Sequence, residues 1–305
     1  MKKALLTFFA AGLALLPASA KPLDLSKVSR NANWLMHMDF DAMRNSDVGV
    51  FMRESMEKIP EAVERMEEMK KTYGVDLDGF SYLTISGSGE RHKGIAIMKG
   101  GLDPDVVTDF AESREELKVT RIGKQTVYSS DRGRHSMAFA ALKKGVFVGG
   151  PDSDYVSEGI MLSKGKADSY RGHPILEVLT DSIEDPGFVV FADVKGATKN
   201  NEIDPRIMPM LEKVRAGGMA IGDENGLIRV IAVMETTSEE TCQQVEAMIR
   251  GGMAMVEMRK AQDKRLERFM QGHSIKREGK MIWVEMKFSS EEIMDHLKRE
   301  MRKSA

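Results

Sequence analysis

The sequence predicts an α+β protein built from two tandem repeats, each an antiparallel sheet with helices packed on one face. Three observations support this fold class. Segments with strand character are joined by short turns, and such turns connect antiparallel strands. Stretches with apolar residues at helical spacing lie between them. Four of these elements recur in the same order in both halves of the chain, which indicates an internal duplication.

The N-terminus is expected to be a signal peptide rather than part of the fold. Two lysines precede an apolar run over residues 4–16, and a small-residue cleavage site follows at residues 18–20. The run is too short to span a membrane, and no later stretch is apolar for long enough. We therefore expect residues 1–20 to be removed, with cleavage after Ala20, and the mature chain to be exported to the periplasm or the cell exterior.

Composition argues against several classes of protein. Without the signal peptide, 43 basic residues stand against 47 acidic ones, a formal net charge of −4, and both signs are interspersed. A nucleic-acid partner is not expected, because the chain has no basic block. Cys242 is the single cysteine. No intramolecular disulfide can therefore form, and the fold must depend on burial of apolar surface.

The first matching pair of elements is a strand that leads into a helix. WLMHMDFDAMRNS from Trp34 corresponds to FVVFADVKGATKN from Phe188, with Asp39 and Asp193 at the same place. A carboxylate at such a junction accepts hydrogen bonds from the free N–H groups of a helix start. Both aspartates are therefore predicted to be helix caps.

Two hairpins follow in each half. LTISGSGERHKGIAIMKGG from Leu83 corresponds to MAIGDENGLIRVIAVMETT from Met219. Further along, VTRIGKQTVY from Val119 corresponds to IKREGKMIWV from Ile275, with Arg-x-Gly-Lys in both. Each half then ends on a capped helix, DSDYVSEGIML in the first and SSEEIMDHLK in the second.

The halves also differ. The first carries additional strand sequence at residues 135–150, and the second a longer helix over residues 239–271. Proline and charged residues at 181–186 interrupt any regular element and mark the boundary, which gives repeat domains at residues 21–180 and 181–305. The pattern leaves open whether the two sheets are separate or continuous.

Helix ends are predicted from capping residues. Thr237 with Glu240 and Ser289 with Glu292 have the spacing of capping boxes. Pro60 inside an apolar helical pattern predicts a kink or a new helix start. Residues 259–268 are mostly charged, so this part of the long helix is expected to project into water or to meet a partner.

His37 and Asp39 are the first candidates for chemistry, because alternation along a strand places both on one face. A metal or catalytic role is one reading. The other is packing and capping, which we favour because the second half has Phe191 where the first has His37. A third possibility is a hydrolase site assembled between the repeats from Asp39 and Asp193.

Methionine is unusually abundant, with 24 in the full sequence. Thioether sulfur is a ligand for Cu(I), and the obvious clusters are Met66/Met69, Met208/Met210 and Met253/Met255/Met258. The alternative is that methionine substitutes for leucine in the core, because most positions fit an amphipathic pattern. We favour core packing, since the histidines are scattered rather than clustered with the methionines.

No catalytic, cofactor-binding or metal-binding residues are assigned from the sequence. Nucleophile, zinc and phosphate-loop motifs are absent, and Cys242 is expected to be structural. The stretches NANWLMHMDFDAMRNSDVG and GVDLDGFSYLTISGSG resemble a loosely defined group of exported bacterial proteins of unknown function with a duplicated α+β domain. That resemblance implies an envelope location and no activity.

The sequence thus favours an exported, non-enzymatic envelope protein that binds a ligand or a macromolecular partner, such as another envelope protein. A methionine-based Cu(I) protein is the alternative, and a hydrolase a further one. Oligomeric state and ligand identity do not follow from the sequence.

Overall fold

The computed structural model describes residues 23–90, 93–131, 136–194 and 212–304. In these ranges, strands and helices combine around a large antiparallel sheet, so the predicted α+β class is confirmed. The predicted signal peptide lies outside the described residues. Within the described ranges, no helix has both the length and the apolar character needed to cross a membrane.

The strands, in chain order, are β1 Trp34–Asp39, β2 Val75–Gly87, β3 Ile95–Leu102, β4 Lys118–Ile122, β5 Gln125–Ser130, β6 Met137–Leu142, β7 Val146–Gly150, β8 Phe188–Asp193, β9 Val214–Glu224, β10 Leu227–Thr236, β11 Met270–Glu278 and β12 Met281–Ser289. The helices are α1 Phe40–Asn45, α2 Asp47–Met56, α3 Pro60–Tyr73, α4 Pro104–Glu112, α5 Ser153–Ser163, α6 Pro174–Ser182, α7 Glu239–Lys260, α8 Lys264–Phe269 and α9 Ser290–Ser304. A 3₁₀ turn at Leu25–Lys27 precedes β1.

One continuous sheet contains all twelve of these strands, in the order β11-β12-β10-β9-β8-β1-β2-β3-β7-β6-β5-β4. The two halves of the chain meet where β1 pairs with β8. The sequence left open whether the two halves form separate sheets or a continuous one, and the structure has a single shared sheet. Each half contributes its first strand to the centre and its later strands to one side.

The pairing of β1 with β8 has the symmetry expected of a duplicated chain. Met36 lies opposite Val190, which is its own counterpart in the repeat. On either side of this pair, Leu35 lies opposite Phe191 and His37 lies opposite Val189. Each of these two pairs consists of the counterparts of the other, so exchanging the halves converts one pair into the other. The halves are thus related at the centre by an approximate twofold axis through the rung of Met36 and Val190.

The added strand sequence predicted at residues 135–150 forms β6 and β7. This hairpin lies in the sheet between β3 and β5. In the second half, β12 pairs with β10 directly. The insertion therefore widens the first half by two strands without changing the central pairing.

Helices pack on both faces of the sheet, whereas the sequence predicted one face for each repeat. Ile175 and Leu179 of α6 pack in a core with Phe191. Cys242 of α7 packs on Ile282, which lies on the opposite face. A sheet shared by two halves has two wide surfaces, and burying both of them requires helices on each side.

The helix ends agree with the predictions in part. Pro60 is the first residue of α3, so the predicted new start is confirmed. The Ser289 hydroxyl accepts a hydrogen bond from the Glu292 amide at 3.2 Å, as the spacing predicted. The cap of α7 is one residue later than predicted, because Ser238 rather than Thr237 accepts from a helix amide.

Most described residues of the charged stretch at 259–268 are exposed, which agrees with the expectation that it extends into water, and a partner there stays a prediction. The long helix divides here, since α7 ends at Lys260 and α8 begins at Lys264. The Arg268 side chain in α8 then pairs with Glu292 of α9 at 2.5 Å. The charges thus join two helices on the protein surface.

Candidate functional site

His37 is buried on the face of β1 that the sequence predicted. Its neighbours Leu35 and Asp39 are buried on the same face, while Trp34 and Met36 on the other face are half-buried. Only 2% of His37 is exposed, and its Nδ1 lies 2.9 Å from the Thr84 Oγ1 on β2. The ring is therefore held in place by a strand-to-strand contact.

The same histidine lines a cavity of about 340 Å³, here named the His37 cavity. Its walls come from the 3₁₀ turn, from β1, β2, β3 and β7, and from the end of α5. The lining residues are Asp24, Lys27, His37, Tyr82, Thr84, Lys99, Val146 and Ser163. The packing reading of His37 is thus incomplete, because its surroundings include an open space bordered by other polar side chains.

The second half has no such residues at the equivalent positions. Leu35 lies opposite Ser86, and its counterpart Val189 lies opposite Ala220. Ser86 therefore corresponds to Ala220 in the structure. The sequence match of Leu83 with Met219 had paired Ser86 with Gly222, two residues further on. By the same register, the counterparts of His37, Thr84 and Tyr82 are Phe191, Gly218 and Ala216.

These apolar counterparts allow α6 to close on the sheet. A Cβ atom on Gly218 would lie 2.6 Å from the Leu179 Cδ1, so only glycine permits this approach. Phe191 is 1% exposed, and its ring packs against that of His173 in a tilted arrangement with the ring centres 4.8 Å apart. In the second half, apolar side chains fill this part of the structure. In the first half, the same part is a cavity lined by polar side chains.

The charges around the cavity are mostly positive. Lys27 Nζ lies 3.4 Å from the Ser163 carbonyl oxygen and 3.8 Å from Asp24. Burial raises the pKa of the Tyr82 hydroxyl, and the charge of Asp24 raises it further. The Ser163 hydroxyl donates to the Ile160 carbonyl within its own helix, so it is not an activated nucleophile. The arrangement suits binding better than catalysis.

Asp39 is a helix cap, as predicted. Its carboxylate accepts a hydrogen bond from the Ala42 amide at 2.9 Å at the start of α1. Burial raises the pKa of this carboxyl, the Ala42 bond lowers it, and the nearby Asp41 raises it again. Asp193 ends β8, but the helix that it was predicted to cap falls on residues outside the described ranges.

The two aspartates are far apart, so they cannot form one hydrolase site. The Asp39 amide donates to the Gly187 carbonyl at one end of the β1–β8 pair. The Asp193 amide donates to the Asn33 carbonyl at the other end. Six residues of extended chain separate the ends, which is roughly 20 Å at the usual rise of a strand.

Most described methionines are half-buried, and some of these, such as Met234 and Met281, pack against core clusters, so the core-packing expectation is wrong only for the exposed ones. Among the fully buried apolar residues of the described ranges, Met270 is the single methionine. Several are instead exposed: Met43, Met52, Met137, Met161, Met248, Met255 and Met258. Of the clusters named from the sequence, Met208/Met210 lies outside the described residues.

Two of the exposed methionines line a second and larger concavity of about 1030 Å³, here named the methionine cleft. It lies between α1–α2 of the first half and the ends of β8, β9 and β10 of the second. Its apolar lining includes Phe40, Met43, Val48, Met52, Phe188 and Ile221. Its acidic lining consists of Asp78, Glu184, Asp185 and Asp223. The sequence did not reveal this cleft, because its walls come from segments far apart in the chain.

Cys242 of α7 is fully buried against the sheet, which agrees with the structural role predicted for it. Within the described residues, no group of three or more histidine, cysteine, aspartate and glutamate side chains is arranged to hold a metal ion.

No protein-family model matches this chain, and no curated protein matches it. Its fold is similar to that of the protein TP0453. The structure of crystal form III of TP0453 has 12% sequence identity and a TM-score of 0.51, over 91% of this chain and 98% of that chain. Crystal form IV gives 11% identity and a TM-score of 0.49, over 92% and 97% of the two chains. At this identity, the likeness to form III shows a shared α+β fold that extends over most of both chains.

Proposed function

We propose that this chain is an exported, non-enzymatic binding protein that holds a basic amphipathic helix of a partner protein in the methionine cleft. The observation that carries the proposal is the cleft itself, an apolar concavity of about 1030 Å³ with an acidic rim. It lies where the two halves of the chain meet. Clefts between structural units are common sites for ligands and partners.

The apolar lining suits the hydrophobic face of a helix. Met43 is 43% exposed and Met52 is 37% exposed, although both lie in a concave surface. Methionine is unbranched and polarisable, so it adapts to different apolar side chains. An amphipathic helix places its anchors at positions i, i+3, i+4 and i+7, which a groove of this kind accepts.

The rim selects for a basic helix. Asp78, Glu184 and Asp185 are exposed around the cleft. Arg44 is the nearby basic side chain, but its guanidinium binds Asp41 and donates to the Phe80 carbonyl at 2.7 Å. The rim is therefore acidic on balance. Complementary charge steers association and rejects partners of the same sign.

The test is a titration with a labelled lysine- and leucine-rich amphipathic helix, followed by fluorescence anisotropy. Met43→Lys and Met52→Lys place positive charge in the cleft and should each weaken binding about tenfold or more. Met161→Lys is the matched control, because Met161 is 40% exposed on α5 and does not line the cleft.

A scrambled peptide of the same composition should bind much more weakly than the amphipathic one. Equal binding by the cleft variants and the control would refute the proposal. Binding of an uncharged detergent monomer without binding of the peptide would also refute it, and would assign the cleft to a neutral amphiphile.

A second candidate function is Cu(I) binding on α7, because three methionines share one exposed side of this helix. Met248, Met255 and Met258 are 64%, 63% and 67% exposed. Seven and three residues separate them, which keeps them on one side at 3.6 residues per turn. Thioethers are soft ligands that favour Cu(I).

Competition with a chromophoric Cu(I) chelator tests this second function. Replacing the three α7 methionines with leucine should abolish the competition, while replacing Met43 and Met52 with leucine should not. Absence of competition in the unchanged protein at micromolar copper would rule the function out.

A further inference from the structure

We infer that the His37 cavity binds a small organic anion, in which a carboxylate or phosphate is carried on a compact apolar body. This site is separate from the methionine cleft and does not depend on it. The cavity holds about 340 Å³, which is within the range of small-molecule sites.

The polar groups of the cavity are firmly placed. His37 is 2% exposed and Thr84 is 3% exposed, and their ring nitrogen and hydroxyl are 2.9 Å apart. Neighbouring strands of the sheet carry them, so their positions are fixed by the backbone pairing of His37 with Thr84. A binding site built on paired strands is more rigid than one built on loops.

The second half of the sheet folds without polar residues at the equivalent places. The second half has Phe191, Gly218 and Ala216 at the equivalent positions and closes them with α6. Burial of polar side chains costs free energy unless they gain partners. The first half keeps both the polar side chains and an open volume, which is the pattern of a ligand site rather than of a core.

The charge of the walls indicates an anion. Lys27 and Lys99 line the cavity with His37, whereas Asp24 is the single acidic residue among the described residues of the lining. The Asp24 side chain is 57% exposed and that of Lys27 is 22% exposed, so the acid is the more solvated of the two. Lysine ammonium groups bind carboxylate and phosphate as point charges. Tyr82 and Val146 supply apolar wall for the body of the ligand.

The experiment is isothermal titration calorimetry with benzoate and with phenyl phosphate, using benzyl alcohol as the uncharged control. His37→Phe introduces the residue of the sister strand, and Lys99→Met removes one wall charge. Each should weaken anion binding about tenfold or more. Lys143→Met is the matched control, because Lys143 is exposed between β6 and β7 and does not line the cavity.

Nuclear magnetic resonance of the unchanged protein provides a readout that does not depend on any variant. The ¹⁵N resonances of the His37 ring should shift on addition of the anion that binds and not on addition of benzyl alcohol. Binding unaffected by both cavity variants would overturn the inference. So would a lack of binding by either anion up to about 10 mM, which corresponds to less than 3 kcal/mol of affinity.

Discussion

Gly159 in α5 lies so close to Val148 in β7 that a Cβ atom on the glycine would stand 2.4 Å from the valine Cγ1. The same atom would lie 2.8 Å from the Ile95 Cγ2 on β3. Both neighbours are buried, so neither side chain can move into solvent. The close approach of α5 to the sheet therefore depends on the absence of a side chain at this position.

We predict that Gly159→Ala lowers the free energy of unfolding by about 1–3 kcal/mol, because it overpacks the core. Gly252 in α7 is the matched control, since a Cβ there meets no atom within 4 Å. Gly252→Ala should raise stability by about 0.5–1 kcal/mol through helix propensity. Urea denaturation followed by circular dichroism measures both. Similar effects for the two substitutions would contradict the packing described for α5.

The buried cap at Asp39 predicts a dependence of stability on pH. Burial raises the pKa of Asp39 in the folded protein above its value in the unfolded chain. At a pH between these two pKa values, the folded protein binds more protons at this carboxyl than the unfolded chain does. The contribution of this group is therefore fully present below the unfolded pKa and is lost as pH rises through the folded pKa. Asp39→Asn keeps the capping oxygen and removes the buried charge.

We expect Asp39→Asn to be more stable than the unchanged protein at pH 7, with the difference disappearing in acid. Asp39→Ala should instead lose about 1 kcal/mol, because the Ala42 amide loses its partner. Asp152→Asn is the control, since Asp152 caps α5 from an exposed position. Denaturant curves between pH 3 and pH 8 give the comparison, and a gain for Asp39→Asn that is undiminished at pH 3 would exclude this cause.

The contact between Thr84 and His37 gives a prediction for the cavity without any ligand. Thr84→Val keeps the shape of the side chain but removes the hydroxyl that lies 2.9 Å from the His37 Nδ1. A lost buried hydrogen bond costs about 1–3 kcal/mol. Thr84→Ser retains the hydroxyl and should lose less. Thermal unfolding of both variants is the measurement, and equal losses would mean that the hydroxyl does not stabilise the ring.

Arg229 on β10 joins two other strands through its guanidinium. It pairs with Glu224 of β9 and with Glu285 of β12, at 2.8 Å from the latter. Burial alone would raise the pKa of Glu224, but the Glu184 amide and Arg229 together hold it below its ordinary value. The stability contributed by Glu224 is therefore present above its unfolded pKa and is lost as pH falls through the folded pKa.

We predict that Arg229→Met destabilises the protein by about 1–3 kcal/mol at pH 7, because two half-buried carboxylates lose a charged partner. The loss should shrink at low pH, where the carboxylates become neutral. Arg215→Met is the control, since Arg215 pairs with Glu235 from a side chain that is 58% exposed. A loss for Arg229→Met that is the same at pH 3 and pH 7 would argue for lost packing instead of lost charge.

Sequence patterns predicted which strands and helices form better than they predicted the alignment of corresponding strands or the exact residue that caps a helix. The match between WLMHMD and FVVFAD gave the correct correspondence of β1 with β8, because alternation along a strand is a local property. The match of β2 with β9 was two residues out, since it assumed hairpins of equal length. The capping residue of α7 was one residue out for a similar reason, because neighbouring Thr237 and Ser238 both have capping side chains.

The candidate sites were mostly hidden from the sequence. His37 could be identified as the residue that differs from its sister Phe191, but not as part of a cavity. Lys27 and Lys99 join it from a turn before β1 and from β3. Methionine was expected in the core because it is apolar, and only the packing of helices shows which methionines they leave exposed.

The amino-acid sequence alone determined the α+β class, the repeated order of the elements and the capping role of Asp39, because each depends on residues close together in the chain. Tertiary structure decided that the halves share one sheet, that helices cover both faces, and that one half keeps a polar cavity where the other is filled. Those features depend on contacts between segments that are distant in the chain, and β1 and β8 are more than a hundred residues apart. Local periodicity does not encode the register or the side of such contacts.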